Sequence, residues 1–308
     1  MNGTDWPRVG IVILNWNGLE DTLACLESLA QADYPAPDIV IVDNGSTDDS
    51  PTIIRRRYPN TTVLEMHRNL GFTGGNNTGL RYLLERGVEW ALLLNNDTEV
   101  APDMLRMLVH AAGAEESIGI AGPTIYFYDA PDTIWSAGGR FDRRTGETHM
   151  LGLGRRDGGQ SDTDRPRDVD FVTGCALLIK RDVLEQVGLL DDRFYLYYEE
   201  AEWCARVRRA GYRIIHVPEA RMWHKIPLDG RTSSPMVHYY MTRNRFLFLR
   251  LTGARPGAWL RTLFGNVRTL ASWTIKPRWR TRWAHRDAML QAIGDAIFGR
   301  WGERIAAR

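Results

Sequence analysis

The sequence predicts an α/β fold built on a mainly parallel central sheet flanked by helices, and three observations carry that prediction. Over roughly the first 100 residues, short apolar runs alternate with amphipathic segments, as successive βαβ units require. Two of those runs stop abruptly at a carboxylate, at Asp43 and in Asn95-Asn96-Asp97. In an open parallel sheet, ligands bind in the crevice beyond the carboxyl ends of the strands, so an acid delivered there is poorly placed for packing and well placed for chemistry. Third, the 308-residue chain is 44% hydrophobic and 25% charged, enough apolar material for one large α/β core or two small ones.

Residues 9–14 form the first strand, followed by the loop Asn15-Trp16-Asn17-Gly18 and a helix whose Leu23, Leu26 and Leu29 share a face. Strand two, at 39–42, ends at Asp43. After it, Asn44-Gly45-Ser46-Thr47-Asp48-Asp49-Ser50-Pro51 supplies turn residues, N-cap candidates and a proline suited to a first helical turn. Strand three covers 62–66, and a Gly/Asn-rich loop over 69–78 opens a helix through Leu80, Leu83 and Leu84. Strand four is the run Trp90-Ala91-Leu92-Leu93-Leu94, and Pro102 starts a helix with Leu105, Leu108 and Val109 inward. A strand at 118–121 precedes an irregular stretch, in which 140–168 reads as a mobile excursion or a hairpin over the site. Regularity returns with a strand at 171–180, a helix at 199–210 ended by Gly211, and a strand at 213–217.

The formal net charge of +1 conceals a polarity: after about residue 231 about fifteen basic side chains meet about three acidic ones, leaving the front part acidic by roughly ten. From His238 this stretch reads His-Tyr-Tyr-Met-Thr-Arg-Asn-Arg-Phe-Leu-Phe-Leu-Arg and continues through Trp259, Phe264, Trp273, Trp279, Trp283, Phe298 and Trp301. Basic helices carrying Trp and Phe suit an anionic lipid surface; the alternative is a helical cap with a solvated basic face. No nucleic-acid recognition motif accompanies the charge, so no nucleic-acid partner is expected. Cys25, Cys175 and Cys204 are far apart and odd in number, which suggests neither a disulfide framework nor a zinc site and fits a reducing cytoplasm. Neither a signal peptide nor a membrane span is expected, because no charged n-region precedes an apolar stretch and no window approaches eighteen uninterrupted apolar residues.

Four places hold candidate chemistry. Asn95-Asn96-Asp97 is either a turn or a metal site. Asp43 can accept from a pyrimidine N–H or a ribose hydroxyl, or cap the next helix. The run Gly71-Phe72-Thr73-Gly74-Gly75-Asn76-Asn77, between a strand and a helix, lets backbone approach a ligand and offers helix N–H groups to an anion, though it is neither a Walker A loop nor a good G-x-G-x-x-G match. Glu199, Glu200 and Glu202 crowd a helix first turn, favourable to carboxylates in any protein. The preceding Phe194-Tyr195-Leu196-Tyr197-Tyr198 suggests an aromatic platform for a sugar ring. Glu202 and Arg206 form an i,i+4 pair and read as structural; Glu199 and Glu200 are candidates for proton chemistry.

Taken in order, Asn15-Trp16-Asn17-Gly18, Val42-Asp43-Asn44-Gly45-Ser46-Thr47-Asp48, Asn69-x-Gly71-Phe72-x-Gly74-Gly75-Asn76-x-x-Gly79, Asn95-Asn96-Asp97, Glu199-Glu200-x-Glu202-x-x-x-Arg206 and Trp223-His224 resemble the family 2 glycosyltransferases. The likeness is strongest to the bacterial rhamnosyltransferase-like and galactofuranosyltransferase-like branch. It covers roughly residues 8–250, and six motifs in the family's order are specific where any one is weak. The resemblance implies a GT-A fold with a Rossmann-like nucleotide-binding half and inverting, metal-dependent transfer from a nucleoside-diphosphate sugar, dTDP-rhamnose or a UDP-sugar, to a hydroxyl of a lipid-linked or polysaccharide acceptor in surface glycan synthesis. It divides the chain into a catalytic region at 1–235, with a donor half to about 125 and an acceptor half at 126–235, and a basic helical region at 236–308.

On the donor side the resemblance places Asn15, Asn17, Asp43, Asn44, Arg68, Asn69, Gly71, Gly74, Asn77, Asn96 and Asp97, with Asp43 matching the acid that contacts the nucleobase. Asp97 matches the last acid of the D-x-D motif, which with His224 would hold Mg2+ or Mn2+ on the diphosphate. The first acid of that motif is Asn95 here, which suits a metal that takes few protein ligands. Glu200 matches the base that acts on the acceptor hydroxyl, with a one-residue ambiguity toward Glu199, because the family's usual residue is Asp. Thr173, Gly174, Cys175, Tyr198 and Glu199 would flank the acceptor. The expected location is cytoplasmic, at the inner face of the plasma membrane, with 236–308 touching anionic lipid. The altered metal motif leaves a competing reading, a catalytically silent sugar-nucleotide-binding subunit. A sugar nucleotidyltransferase is disfavoured because its Gly-rich, Arg- and Lys-containing loop is missing after Leu14.

Overall fold

The computed structural model describes residues 6–158, 165–228 and 234–304. The remainder of the predicted 140–168 excursion, and the outer parts of the two predicted regions at 1–5, 229–233 and 305–308, lie outside the described residues.

The chain opens with β1 (Val9–Asn15), α1 (Leu19–Ala30), β2 (Asp38–Asp43), α2 (Ser50–Arg57), β3 (Thr62–Glu65), α3 (Gly71–Glu85) and β4 (Trp90–Asn95). These strands pair in parallel in the order β3-β2-β1-β4. Because the chain winds outward from β1 to β3 and then returns to the other side of β1, the sheet has a topological switch point between β1 and β4. A ligand crevice is expected there, at the strands' carboxyl ends. The register places Asn15 beside Asp43, and Leu14 beside Asn95.

The chain continues through β5 (Thr98–Val100), α4 (Met104–Ala112), β6 (Ile118–Phe127), β7 (Ala130–Ser136), β8 (Gly139–Asp142) and β9 (Glu147–Met150), which pair as a separate hairpin, and β10 (Arg167–Asp168). Next come β11 (Ala176–Lys180), α5 (Arg181–Val187), α6 (Glu199–Arg209) and β12 (Arg213–His224). β11 runs antiparallel between β4 and β6, and β12 runs parallel to β6, so the sheet is mostly parallel, with β11 reversed in its middle and the short β5, β7 and β10 also pairing antiparallel. The predicted 213–217 strand is thus only the first part of β12. Past an irregularity between Val217 and Arg221 it pairs on to His224, where it also meets β5.

Strand side chains alternate between two cores, as a period of two demands. Ile11, Ile13, Ile41, Leu92 and Leu94 face α1, α2 and α4. Val12, Val40, Val42, Leu93 and Ile179 face α3, α5 and α6. The Gly/Asn-rich run predicted as a loop is instead the start of α3. A Cβ on Gly75 would lie 2.3 Å from Leu14 and one on Gly79 2.4 Å from Val12, so these glycines let the helix approach β1 closely. A glycine tract reads as a loop from composition, and only the packing shows its use. The predicted strand at 171–180 is also shorter, since residues 173–175 turn before β11 begins.

Three helices, α7 (Pro235–Leu251), α8 (Pro256–Ile275) and α9 (Trp283–Ile297), complete the described fold. α7 is largely buried: Tyr239 and Tyr240 pack on Ala288 and Ala292 of α9, and Leu247 and Phe248 pack on Phe194 and Tyr198. The first of the basic segments is therefore a packed cap rather than a lipid surface. Among the described residues, no helix is long and apolar enough to cross a membrane.

Candidate functional site

At the end of β1, Asn15 donates from Nδ2 to Asp43 Oδ1 at 2.7 Å and accepts at Oδ1 from the Thr22 hydroxyl at 2.9 Å. Asp43 Oδ1 also accepts the Ser46 hydroxyl at 2.6 Å, and its Oδ2 accepts the Ser46 amide at 3.0 Å. Three donors fix the orientation of this buried carboxylate, and Oδ2, with one donor, keeps lone pairs for a ligand N–H or hydroxyl. Asn17, in the left-handed region at φ 50°, accepts the Thr47 amide at 2.8 Å and so ties the loop after β1 to the loop after β2.

Asn44 turns inward, donating to Asn69 Oδ1 and the Gly71 carbonyl and accepting the Leu70 amide. Gly71 has φ 73° and would place a Cβ 2.6 Å from Tyr195. The Gly71 amide donates to Asn69 Oδ1, and those of Phe72 and Thr73 donate to the Tyr195 carbonyl, so three of the first four amides of α3 are engaged within the protein. Gly74 packs against Leu70. Asn77 spends its amide on Leu190 and Asp192, joining α3 to the loop that leads to Glu199. Arg68 is exposed and paired with Glu303 at 2.8 Å. Asn44, Asn69 and Asn77, expected around the donor, tie neighbouring loops to one another through these contacts.

At the end of β4, Asn95 donates its amide to the Cys175 carbonyl at 2.9 Å, and Asn96 donates Nδ2 to Thr22 Oγ1 at 3.0 Å. Asp97 follows, with Oδ1 3.1 Å from His224 Nε2. The pairing of β5 with β12, Thr98 opposite His224, sets that approach across 127 residues of sequence. The His224 ring is buried, edge-on to Trp135 at 4.7 Å between centroids. Two ligands about 2.1 Å from an octahedral ion and at right angles to one another sit about 3.0 Å apart, so this carboxylate–imidazole pair fits one edge of a Mg2+ or Mn2+ coordination sphere. No third His, Cys, Asp or Glu joins the pair among the described residues. The neighbouring Lys225 is engaged by Asp21 and Glu99.

Across the β4–β11 boundary lies the second acid pair. Glu199 is buried at 4% exposure, Glu200 is partly open, and the Oε2 atoms of both are buried without a hydrogen-bond partner. Burial pushes the Glu199 carboxyl well above the ordinary carboxylate range, and the charge of Glu200 pushes it further. Burial also raises Glu200, but the amide N–H groups of Glu200, Ala201 and Gly174 oppose that rise. Two adjacent acids in one desolvated site favour a single shared charge. Three amides support the charged form of Glu200 and one supports that of Glu199, so the neutral acid is favoured more at Glu199. Gly174 thereby links Glu200 to the turn whose next residue, Cys175, binds Asn95, so both side-chain pairs belong to one end of the sheet. Thr173 Oγ1 accepts the Cys175 amide and stiffens that turn.

Tyr195, Tyr197 and Tyr198 all have positive φ, at 66°, 68° and 75°, a conformation costing about 1–3 kcal/mol for each non-glycine residue. The open aromatic platform expected here is not formed. Phe194 and Tyr198 are buried, Tyr195 stacks on Tyr240 with centroids 5.4 Å apart, and the Tyr198 hydroxyl donates to the Gly146 carbonyl.

What holds this loop is a pair of α7 residues that the sequence did not reveal. Asn244 donates from Nδ2 to the carbonyls of Phe194, Leu196 and Tyr197 at 2.8–2.9 Å, and Arg243 donates to those of Arg193, Phe194 and Gly302. The fully buried Arg243 guanidinium lies over the Tyr239 and Tyr240 rings, about 5 Å from each. The signal available in sequence was an arginine in the apolar stripe Tyr239, Arg243, Leu247, spaced four apart on one helix face.

The glycosyl transferase family 2 model matches residues 10–188. An N-acetylglucosaminyl-diphospho-decaprenol L-rhamnosyltransferase of Mycobacterium tuberculosis is 27% identical over 263 residues, covering 79% of this chain and 83% of its own. A galactofuranosyltransferase, GlfT1, of Mycolicibacterium smegmatis is 25% identical over 254 residues, covering 77% and 82% respectively. Among solved structures, the mannosyltransferase PcManGT of Pyrobaculum calidifontis, in complex with GDP-Man and Mn2+, superposes with a TM-score of 0.54 at 17% identity, over 96% of this chain and 89% of that one. The matched segment carries the Asp43 and Asp97 strand ends, the fold is that of the GT-A enzymes, and the chain belongs to glycosyl transferase family 2, as a glycosyltransferase of its rhamnosyltransferase-like and galactofuranosyltransferase-like branch.

Proposed function

We propose that this enzyme transfers a sugar, with inversion, from a nucleoside-diphosphate donor to a hydroxyl of a lipid-linked or polysaccharide acceptor, at the cytoplasmic face of the membrane during surface glycan synthesis. The observation that carries the reading is the placement of two different side-chain pairs at one end of the sheet: the carboxylate of Asp97, after β4, with the imidazole of His224, at the end of β12, and the two carboxyls of Glu199 and Glu200 at the start of α6. Inversion by one displacement needs a base on one side of the anomeric carbon and charge neutralisation on the other.

Asp43, clamped by Asn15 and Ser46, accepts from the donor's base or ribose, with Asn17 and Asn69 shaping the cleft. Asp97 and His224 would hold Mg2+ or Mn2+, which when bound would neutralise charge on the departing diphosphate. Glu200 takes the proton of the acceptor hydroxyl as that oxygen bonds to the anomeric carbon and the carbon–phosphate oxygen bond breaks. Its raised pKa brings the base nearer neutral pH, and protonated Glu199 donates to the acceptor or to Glu200. The rhamnosyltransferase and galactofuranosyltransferase relatives favour dTDP-rhamnose or a UDP-sugar as donor.

The test is a panel of nucleotide sugars assayed for hydrolysis and transfer with and without Mg2+ or Mn2+. Metal-dependent turnover of one donor, with an inverted anomeric product, is the expected result. Absence of turnover with every donor, or turnover unchanged in EDTA, refutes the mechanism.

A further inference from the structure

We propose that α8 and the arginine-lined cavity beside it form a docking surface for a membrane bearing anionic lipid headgroups. α8 is built inside out. Leu260, Leu263, Phe264 and Val267, spaced as one helical face, are 46–70% exposed, whereas Ala258, Thr262 and Asn266 point inward. Thr262 anchors that inner face, its hydroxyl donating to the Thr145 carbonyl at 2.8 Å. A helix of a globular protein normally turns its apolar stripe to the core, and a contiguous exposed stripe of this kind marks a contact surface. Ile275, 76% exposed, extends the stripe to the end of the helix.

Charge identifies what covers it. Arg261 and Arg268 run beside the stripe, and Lys276, Arg278 and Arg280 follow it, all exposed. No Asp or Glu occurs between Asp229 and Asp287. Next to the start of α8, a cavity of about 960 Å³ opens between the β8–β9 turn and the ends of α6 and α7. Arg143, Arg144, Arg209, Arg255 and Arg261 line it; Arg208, also there, is paired with Asp170, and Asp142 is the only acid in the lining among the described residues. A second copy of the chain would bring the same unopposed positive charge against itself. Nucleic acid would engage the arginines and leave the aliphatic stripe in water. A bilayer with anionic headgroups satisfies both, with apolar side chains at the acyl boundary and arginines on phosphate. Docking deepens the proposed acceptor reading but needs no catalysis, and the two therefore fail separately.

The test is co-sedimentation of the full chain with vesicles of 30% phosphatidylglycerol in phosphatidylcholine, against phosphatidylcholine alone, at low and high salt. Phe264→Ser with Val267→Ser, both exposed, is the comparison variant. Binding is expected to anionic vesicles, to weaken with salt, and to fall at least about tenfold in the double variant while donor hydrolysis is unchanged. Three results overturn the proposal: no binding by the parent chain, equal binding to neutral vesicles, or equal binding by the variant. A parent dimer that the variant converts to monomer also overturns it, by assigning the stripe to self-association, as does nucleic-acid binding tighter than vesicle binding. Vesicle binding without sugar transfer refutes the catalytic reading alone.

Discussion

Replacing Glu200 by Gln keeps the volume and the contact with the Gly174 amide but removes the atom that takes the proton. General-base removal costs about 10²- to 10⁴-fold in kcat, or about 2.7–5.4 kcal/mol in the barrier. Donor affinity should not change, because donor contacts lie on the Asp43 and Asp97 side. Glu199→Gln is the decisive companion. Gln is nearly isosteric and isoelectronic with the neutral acid that burial favours at Glu199, so kcat should stay within about threefold and the acid limb of the pH profile should barely move.

Stability should respond in the opposite sense. The folded Glu199 carboxyl is raised well above its ordinary 4.5, so it contributes fully below that pH. As pH rises from there toward the folded pKa, the unfolded chain sheds the proton first and stability falls by about 1.4 kcal/mol per pH unit. Glu199→Gln escapes this loss and should melt higher than the parent at pH 8, with the difference shrinking toward pH 4.5. Steady-state transfer, donor titration calorimetry and melting scans between pH 4.5 and pH 8 read all three quantities. Loss of transfer in Glu199→Gln with activity kept in Glu200→Gln would move the base by one residue. A Glu199→Gln melting point below the parent's at pH 8 would sink the shared-charge argument.

Further predictions concern the scaffold and the metal edge. Asp97→Ala should abolish Mn2+ binding in the presence of nucleoside diphosphate, and His224→Ala should weaken it by about 10- to 100-fold; calorimetric titration showing parent-like affinity in either would remove the pair as the metal's protein ligands. Asn244→Ala strips three carbonyls of their donor and should cost about 2–4 kcal/mol in urea denaturation. It should lower kcat while donor KM holds, since it releases the loop that aims Glu200 rather than the donor cleft. Gly79→Ala drives a methyl into Val12 and should cost about 1–3 kcal/mol, whereas Gly257→Ala, with open space around it, should not; equal midpoints would refute the close-packing role of Gly79.

The strands ending at Asp43 and Asp97 were legible because a buried parallel strand is a short apolar run, and the polar residue that stops it marks the sheet's ligand-facing end. Glu202–Arg206 was legible for the same kind of local reason, an i,i+4 spacing, and the pair forms at 2.8 Å. The Gly/Asn-rich run was misread because composition reports conformational freedom, while the glycines are used for the closeness of α3 to β1. The aromatic run before Glu199 was read as a surface because sequence shows that rings are present, not which way they turn.

By itself the sequence determined the alternation of strands and helices, the acids at their ends and the basic character of the C-terminal stretch, all of which are written in near-neighbour patterns. Only the tertiary structure brought His224 to Asp97, set Gly174 against Glu200, and used Arg243 and Asn244 to hold a loop of left-handed tyrosines. Those pairings join residues roughly 25 to 130 positions apart, through strand register and buried carbonyls that must find donors. The same burial split the basic stretch: α7 went into the core, and α8 was left with its apolar face in water.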